Sequence, residues 1–143
     1  MSKIAYIDDQ ALAIEEGETI LSFVRRHQGK ASVPTLCEAP GLESFGACRV
    51  CSVEVGTVTP GKNRTVAACH TPVAENMQIF PNTEKMHRLR RNILELVITD
   101  HPLDCLTCEV SGNCELQTVA AQTGIREVRY KKGENHLKRE KDT

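Results

Sequence analysis

Aromatic side chains are scarce here: three Phe, two Tyr and no Trp in 143 residues, 3% of the chain. So little ring material leaves no route to a large apolar core, and a short chain must then be stapled in some other way. Long hydrophobic runs are missing too, since no stretch approaches the roughly 20 apolar residues that span a bilayer. The opening residues, Met1 to Ile7, run into Asp8 and Asp9 before a signal-peptide core can accumulate. A cytoplasmic protein is the expectation, with any membrane attachment left to a partner. A charge excess of one sign is also lacking: 18 basic and 19 acidic residues give a net charge of -1, which excludes an overall nucleic-acid footprint, and only the tail is locally basic.

What the chain does have is sulfur. Seven cysteines are present, an odd number that cannot close as a disulfide framework. Cys37, Cys48, Cys51 and Cys69 form one group, and Cys105, Cys108 and Cys114 form a second that His101 brings up to four. Two four-ligand metal sites use every cysteine, and metal binding would supply the missing staple.

The first group reads C-x10-C-x2-C-x17-C. One close pair with two distant partners, beside Gly46 and Ala47 whose backbone can approach inorganic sulfide, suits a [2Fe-2S] cluster. A four-cysteine zinc site is the alternative, though zinc sites gather their ligands in two paired knuckles and this group has one pair. The second group reads H-x3-C-x2-C-x5-C. Donors this compact, with Gly112 to turn the chain back toward Cys114, suit a cubane [4Fe-4S] cluster. Pro102 ends the preceding helix and sets His101 at its terminus. An imidazole in place of a thiolate makes such a site less negative and should raise its potential.

Periodicity places these groups on elements. Lys3 to Ile7 and Ala11 to Ile14 alternate as a hairpin. Thr19 caps a helix carrying Ile20, Leu21 and Val24 that stops at Gly29 in a left-handed position. From Val50 the chain alternates again, with Val53 and Val55 opposite Ser52 and Glu54, turns at Pro60-Gly61 and returns to Cys69. A last strand lies around Met77 to Phe80. Two strands, a helix and then a further hairpin with a last strand fit a small β-grasp domain. Asn82 or Thr83 then caps a helix to about Thr99 with a stripe of Met86, Leu89, Ile93, Leu96 and Val97. Arg88, Arg90 and Arg91 lie off that stripe and read as a solvated or partner-facing basic face. A short helix from Glu115 to about Gln122 precedes Gly124, and beyond Tyr130 the charged run to Lys141 reads as an extended arm.

Both spacings, with Gly46-Ala47-Cys48-Arg49-Val50-Cys51 and Asp100-His101-Pro102-Leu103-Asp104-Cys105, resemble the N-terminal part of the large iron-sulfur subunit of respiratory complex I, a unit also found in NAD(P)-linked hydrogenases and formate dehydrogenases. The resemblance covers roughly residues 3 to 124. It implies an α+β chain, with a [2Fe-2S] ferredoxin-like β-grasp domain over 1–80 and a helical His-ligated [4Fe-4S] domain over 81–124; the charged composition adds a C-terminal extension over 125–143. It also implies electron transfer between a flavin-bearing NAD(P)H-oxidising subunit and a catalytic or ferredoxin-binding subunit. FMN or FAD and NAD(P) are expected on that partner, because no G-x-G-x-x-G fingerprint occurs here. Two features depart from the family pattern. The Cys51–Cys69 interval is long, and the chain stops before any further cysteine-rich or catalytic domain, so a non-catalytic subunit is expected.

Other readings stay open. A zinc-stabilised interaction module would use Cys48, Cys51, Cys105 and Cys108, and a free ferredoxin-like shuttle would share the chemistry without the complex. Gly56 to Lys62 resembles the start of a phosphate loop, but Asn63 stands where a magnesium-binding hydroxyl belongs. His70 is a neighbour of the first group, not a required ligand, and Asp100, Asp104 and Glu109 are not spaced as a general acid or base.

Overall fold

The hairpin that begins the chain owes its tightness to two aspartates. Asp8 and Asp9 hold φ of 47° and 69°, the left-handed values a two-residue type I′ turn needs, and Asp tolerates them better than most residues. The turn joins β1 (Ile4–Ile7) to β2 (Gln10–Ala13) in the register Ile4↔Ala13 and Ile7↔Gln10. In the computed structural model, residues 2–56 and 63–131 are described. The expected Pro60-Gly61 turn and the charged run after Lys131 lie outside them.

Helix α1 (Ile20–Gln28) starts where Thr19 Oγ1 accepts from the Ser22 amide at 3.2 Å. It ends at Gly29, whose φ of 92° is positive as expected but whose ψ of 163° is extended, so the chain leaves straight into a single 3-10 turn at Lys30–Ser32. Ile20, Leu21, Phe23 and Val24 are buried against Ala5, Ile7, Val53, Val55 and Ile79. Strands β3 (Ser52–Val55), β4 (Arg64–Ala67) and β5 (Gln78–Phe80) complete a sheet of order β2-β1-β5-β3-β4, in which β1 and β5 run parallel and every other pair is antiparallel. A helix crossing one face of such a mixed sheet is the β-grasp arrangement.

The alternation along β3 hides a second buried face. Val53 and Val55 enter the core under α1, yet Ser52 and Glu54 on the other side are also 2% and 0% exposed. Helix α2 (Glu84–Thr99) covers them, capped by Thr83 Oγ1 accepting from the Met86 amide at 3.3 Å. The helix is rotated from the expected stripe. Its buried residues are Met86, Arg90, Leu94, Glu95 and Ile98, whereas Leu96 and Val97 are 56% and 40% exposed. Arg90 therefore leaves the basic face assigned to it and enters the interior. A row at every fourth residue packs as a ridge, and a guanidinium can occupy that row if it finds carbonyl acceptors; Arg90 donates to Ser52 O, Pro81 O and Asn82 Oδ1.

Helix α3 (Glu115–Thr123) closes at Gly124, which is left-handed at φ 69° and ψ 24°. Val50, Leu94, Ile98 and Val119 form a second core with Leu36, Cys48, Ile93, Leu116, Ala120, Ile125 and Val128 around it. This core joins the first cysteine loop to both later helices. After Gly124 the chain crosses back over α2, where the Arg129 amide donates to Glu95 Oε1 at 2.7 Å and Arg129 Nη2 to Glu95 Oε2 at 2.9 Å. Those bonds hold the Glu95 carboxyl below the usual carboxylate range.

Candidate metal centres

Everything around the first cysteine group serves to present backbone N-H groups to sulfur. The loop from Ser44 to Cys51 turns twice through left-handed geometry, at Gly46 (φ 71°) and Arg49 (φ 64°). At Gly46 a side chain would be both strained and crowded, since a Cβ there would stand 3.3 Å from Ala67 Cβ and 3.5 Å from His70 Cβ. Arg49 keeps its conformation because its carbonyl is held by the Ser52 amide at 3.1 Å and Ser52 Oγ at 2.6 Å. On the far side, His70 Nδ1 lies 2.9 Å from Ser44 O and ties the loop to the residues after β4.

Cys37 arrives on a segment pinned by α1. Arg25 donates to Val33 O at 2.9 Å, to Thr35 Oγ1 at 3.0 Å and to Glu38 Oε2 at 3.4 Å. Cys69 arrives just after β4, where the first amides of α1 hold the chain: Leu21 N donates to Ala68 O and Ile20 N to Thr71 O, each at 2.9 Å. Sequence reasoning placed His70 beside this group without its partner, and missed Arg25 as an organiser. Their partners are distant in sequence, and only Arg25's place in the basic last turn of a helix hinted at a role.

The four sulfurs are drawn into pairs. Cys37 is hydrogen-bonded with Cys48, and Cys69 with Cys51; Cys69 also feels the charge of Cys37. Burial opposes ionisation of Cys37, but bonds from the Cys48 amide and thiol and from the Ala47 amide outweigh it and draw that thiol down. Burial pushes the Cys48 thiol up despite help from the Val50 and Leu36 amides. Cys69 is pushed up to about 12, first by burial and then by the neighbouring Cys51 sulfur, with only the Gly46 amide in opposition. Thiols packed this way resist becoming thiolates together unless a strongly positive centre enters. Ferric iron is such a centre, so the donor set fits an iron-sulfur cluster that the four thiolates would hold.

The second group is built differently. His101, Cys105 and Cys108 are exposed and Cys114 half-buried, on the loop between α2 and α3. The loop is a chain of turns: Thr107 N to Asp104 O at 3.2 Å, Cys108 N to Cys105 O at 3.3 Å, Ser111 N to Cys108 O at 3.1 Å and Asn113 N to Val110 O at 2.9 Å. Gly112, at φ 86°, turns the chain toward Cys114, and its amide donates to Gln117 Oε1 at 2.9 Å. All seven cysteines are free thiols. Among the described residues, no three His, Cys, Asp or Glu side chains stand close enough to hold a single metal ion. Cys48 and Cys51 are gathered with Cys37 and Cys69, which is not the set that a shared zinc site with Cys105 and Cys108 would need.

Comparison with known proteins finds two matching families. A family described as a 2Fe-2S iron-sulfur cluster binding domain matches residues 4–84, and one described as the NADH-ubiquinone oxidoreductase-G iron-sulfur binding region matches residues 90–129. The chain is 42% identical to the NADP-reducing hydrogenase subunit HndD of Solidesulfovibrio fructosivorans over 133 residues, 90% of this chain and 22% of that one. It is 34% identical to the NADH-ubiquinone oxidoreductase 75 kDa subunit of Reclinomonas americana over 131 residues, 90% of this chain and 18% of that one. A solved structure of an NAD+-reducing [NiFe]-hydrogenase in the H2-reduced state superposes with a TM-score of 0.77 at 28% identity, covering 92% of this chain and 53% of its own. The chain thus spans only 22% and 18% of the lengths of these two curated relatives. By the match over residues 4–84 and its continuation over 90–129, this chain belongs to the 2Fe-2S iron-sulfur cluster binding domain family, followed by an NADH-ubiquinone oxidoreductase-G iron-sulfur binding region.

Proposed function

We propose that the chain is an electron relay within a multi-subunit NAD(P)H-linked oxidoreductase. It carries electrons between a flavin-bearing subunit and a catalytic or ferredoxin-binding one in the cytoplasm. Cys37, Cys48, Cys51 and Cys69 hold the [2Fe-2S] cluster in a domain ending near residue 80. His101, Cys105, Cys108 and Cys114 hold the [4Fe-4S] cluster in the helical part up to about residue 124. The observation that carries this reading is the pairing of Cys37 with Cys48 and of Cys51 with Cys69, with backbone amides of Gly46, Ala47, Cys48 and Val50 bonded to these sulfurs. When bound, the clusters supply one-electron chemistry.

The chain's own residues do the rest. Cys51 and Cys69 are 1% and 3% exposed, so water is kept from that end of the site and charge changes are felt at low dielectric. Amides of Ala47, Cys48, Val50 and Gly46 point at sulfur, where they stabilise negative charge. Val50 and Cys48 share a core with Leu94, Ile98 and Val119, so the two ligand loops are braced on the same apolar block. Fixed spacing is what a relay requires of its protein.

Anaerobic reconstitution of the chain tests the reading. Iron and sulfide assays should each find about six per chain, the sum of the two cluster types, with two distinct paramagnetic signals on reduction. Colourless protein with stoichiometric zinc and full function in its complex would overturn it.

A further inference from the structure

Among the described residues, the bulkiest fully buried side chain is a cation. Arg90 is 2% exposed, in a row otherwise made of Met86, Leu94 and Ile98. Its Nη2 donates to Ser52 O at 2.7 Å and to Pro81 O, and its Nη1 donates to Asn82 Oδ1 at 2.9 Å. Among the described residues its Nε has no hydrogen-bond partner. Among the described residues no carboxylate forms an ion pair with it; the acid on the adjoining strand, Glu54, stands 3.6 Å from Lys85 Nζ instead. The sulfur of Cys51, next in sequence to the Ser52 carbonyl that Arg90 grips, acts on it electrostatically.

An unpaired guanidinium in the interior is costly, and a methionine or leucine would fill the same row without that cost. Carbonyl acceptors solvate the cation but do not neutralise it. A four-thiolate ferric cluster at Cys51 would do so, since its net charge is negative and grows by one more electron on reduction. We propose that Arg90 is a positioning residue for the electrostatics of the [2Fe-2S] site: a dry guanidinium, fixed by Ser52 O, Pro81 O and Asn82 Oδ1 behind Cys51, that favours the reduced cluster and raises its midpoint potential. The inference rests on the ligand assignment proposed above. Arg90 also joins α2 to β3, so the test has to separate charge from bracing.

Asn82 makes that separation possible. It is exposed, immediately precedes the cap of α2, and already accepts from Arg90, so Asn82→Asp places a carboxylate on the guanidinium with the hydrogen bond kept. Acidic residues are tolerated before a helix. The experiment is a redox titration of the reconstituted full chain, followed by the [2Fe-2S] paramagnetic signal, for the parent, Asn82→Asp, Arg90→Gln, Arg90→Lys and Arg88→Gln. Iron and sulfide content is measured on each sample first.

Arg90→Gln should cut the reduced-to-oxidised ratio at fixed potential about tenfold, which for one electron is a midpoint about 59 mV more negative. Asn82→Asp should move it the same way by less. Arg90→Lys should retain most of the parent value, and Arg88→Gln, on the solvent face of the same helix with a side chain 71% exposed, should leave it in place. An intact signal with an unmoved midpoint in Asn82→Asp overturns the proposal and leaves Arg90 a brace. If Arg90→Gln does not load its cluster, Asn82→Asp decides alone. Absence of the [2Fe-2S] signal from the parent chain would instead bring down the ligand assignment.

Discussion

One set of cysteines is walled in and the other lies open. Cys51 and Cys69 sit in the core under α1 at 1% and 3% exposure, while Cys105 and Cys108 are exposed on a loop of successive turns. The first loop is anchored from outside itself, by Arg25, His70 and the amides that open α1. The second is anchored by its own turns and by Gln117, five residues from Gly112. A site whose walls are sheet and helix can form before metal arrives. A site made of turns depends more on the metal to define it.

Removing the metal should break the comparison most visibly. Under anaerobic chelation the [4Fe-4S] signal should disappear well before the [2Fe-2S] signal, and limited proteolysis should then cut within residues 100–114 while the sheet stays protected. Equal rates of loss, or an uncut loop, would show that the two sites are equally preformed. Single ligand changes come next. Cys48→Ser should abolish the [2Fe-2S] signal and spare the other, and His101→Ala should do the reverse; crossed effects would overturn the ligand groups.

The shared core sharpens the comparison from the other side. Leu94 is fully buried between the two loops, and Leu94→Ala should destabilise the fold by about 2–5 kcal/mol and impair retention of both clusters. An effect confined to one cluster would mean that the core does not couple them. His101→Cys should keep the [4Fe-4S] cluster and lower its potential, because a thiolate adds negative charge; a rise in potential would contradict that charge argument.

The smallest effect concerns the strap over α2. Glu95 ionises more easily folded than unfolded, because Arg129 bonds to it. The strap's contribution is therefore complete above the ordinary glutamate value of about 4.3 and is lost as pH falls through the lower folded value. Exchange protection of the Arg129 amide should fall in that acid range, and Glu95→Gln should remove the pH dependence. Unchanged protection down to the acid limit would show that Ile125 and Val128 alone hold the strap.

Much of this was legible because it is local. The Thr19 and Thr83 caps, the first hairpin and the end of α3 before Gly124 follow from residues within a few positions of each other. The orientation of α2 was not legible. Met86, Leu89, Ile93, Leu96 and Val97 satisfy helical periodicity, but a basic residue is assigned to water whenever its type is the only information. Arg90 is buried because Ser52 O and Pro81 O, one of them 38 residues away, accept its protons. Ser52 and Glu54 look solvent-facing for the same reason: alternation shows two faces, not what covers the second.

Composition and spacing alone determined that the chain is poor in aromatics and that its seven cysteines fall into two groups, since both facts are written in covalent order. Only the tertiary structure decided how far each group is assembled. It paired Cys37 with Cys48 and Cys51 with Cys69, left the second group at the surface, and drew a lone guanidinium toward Cys51. Burial and charge compensation arise between residues far apart in the chain, and they exist only once the layers have closed.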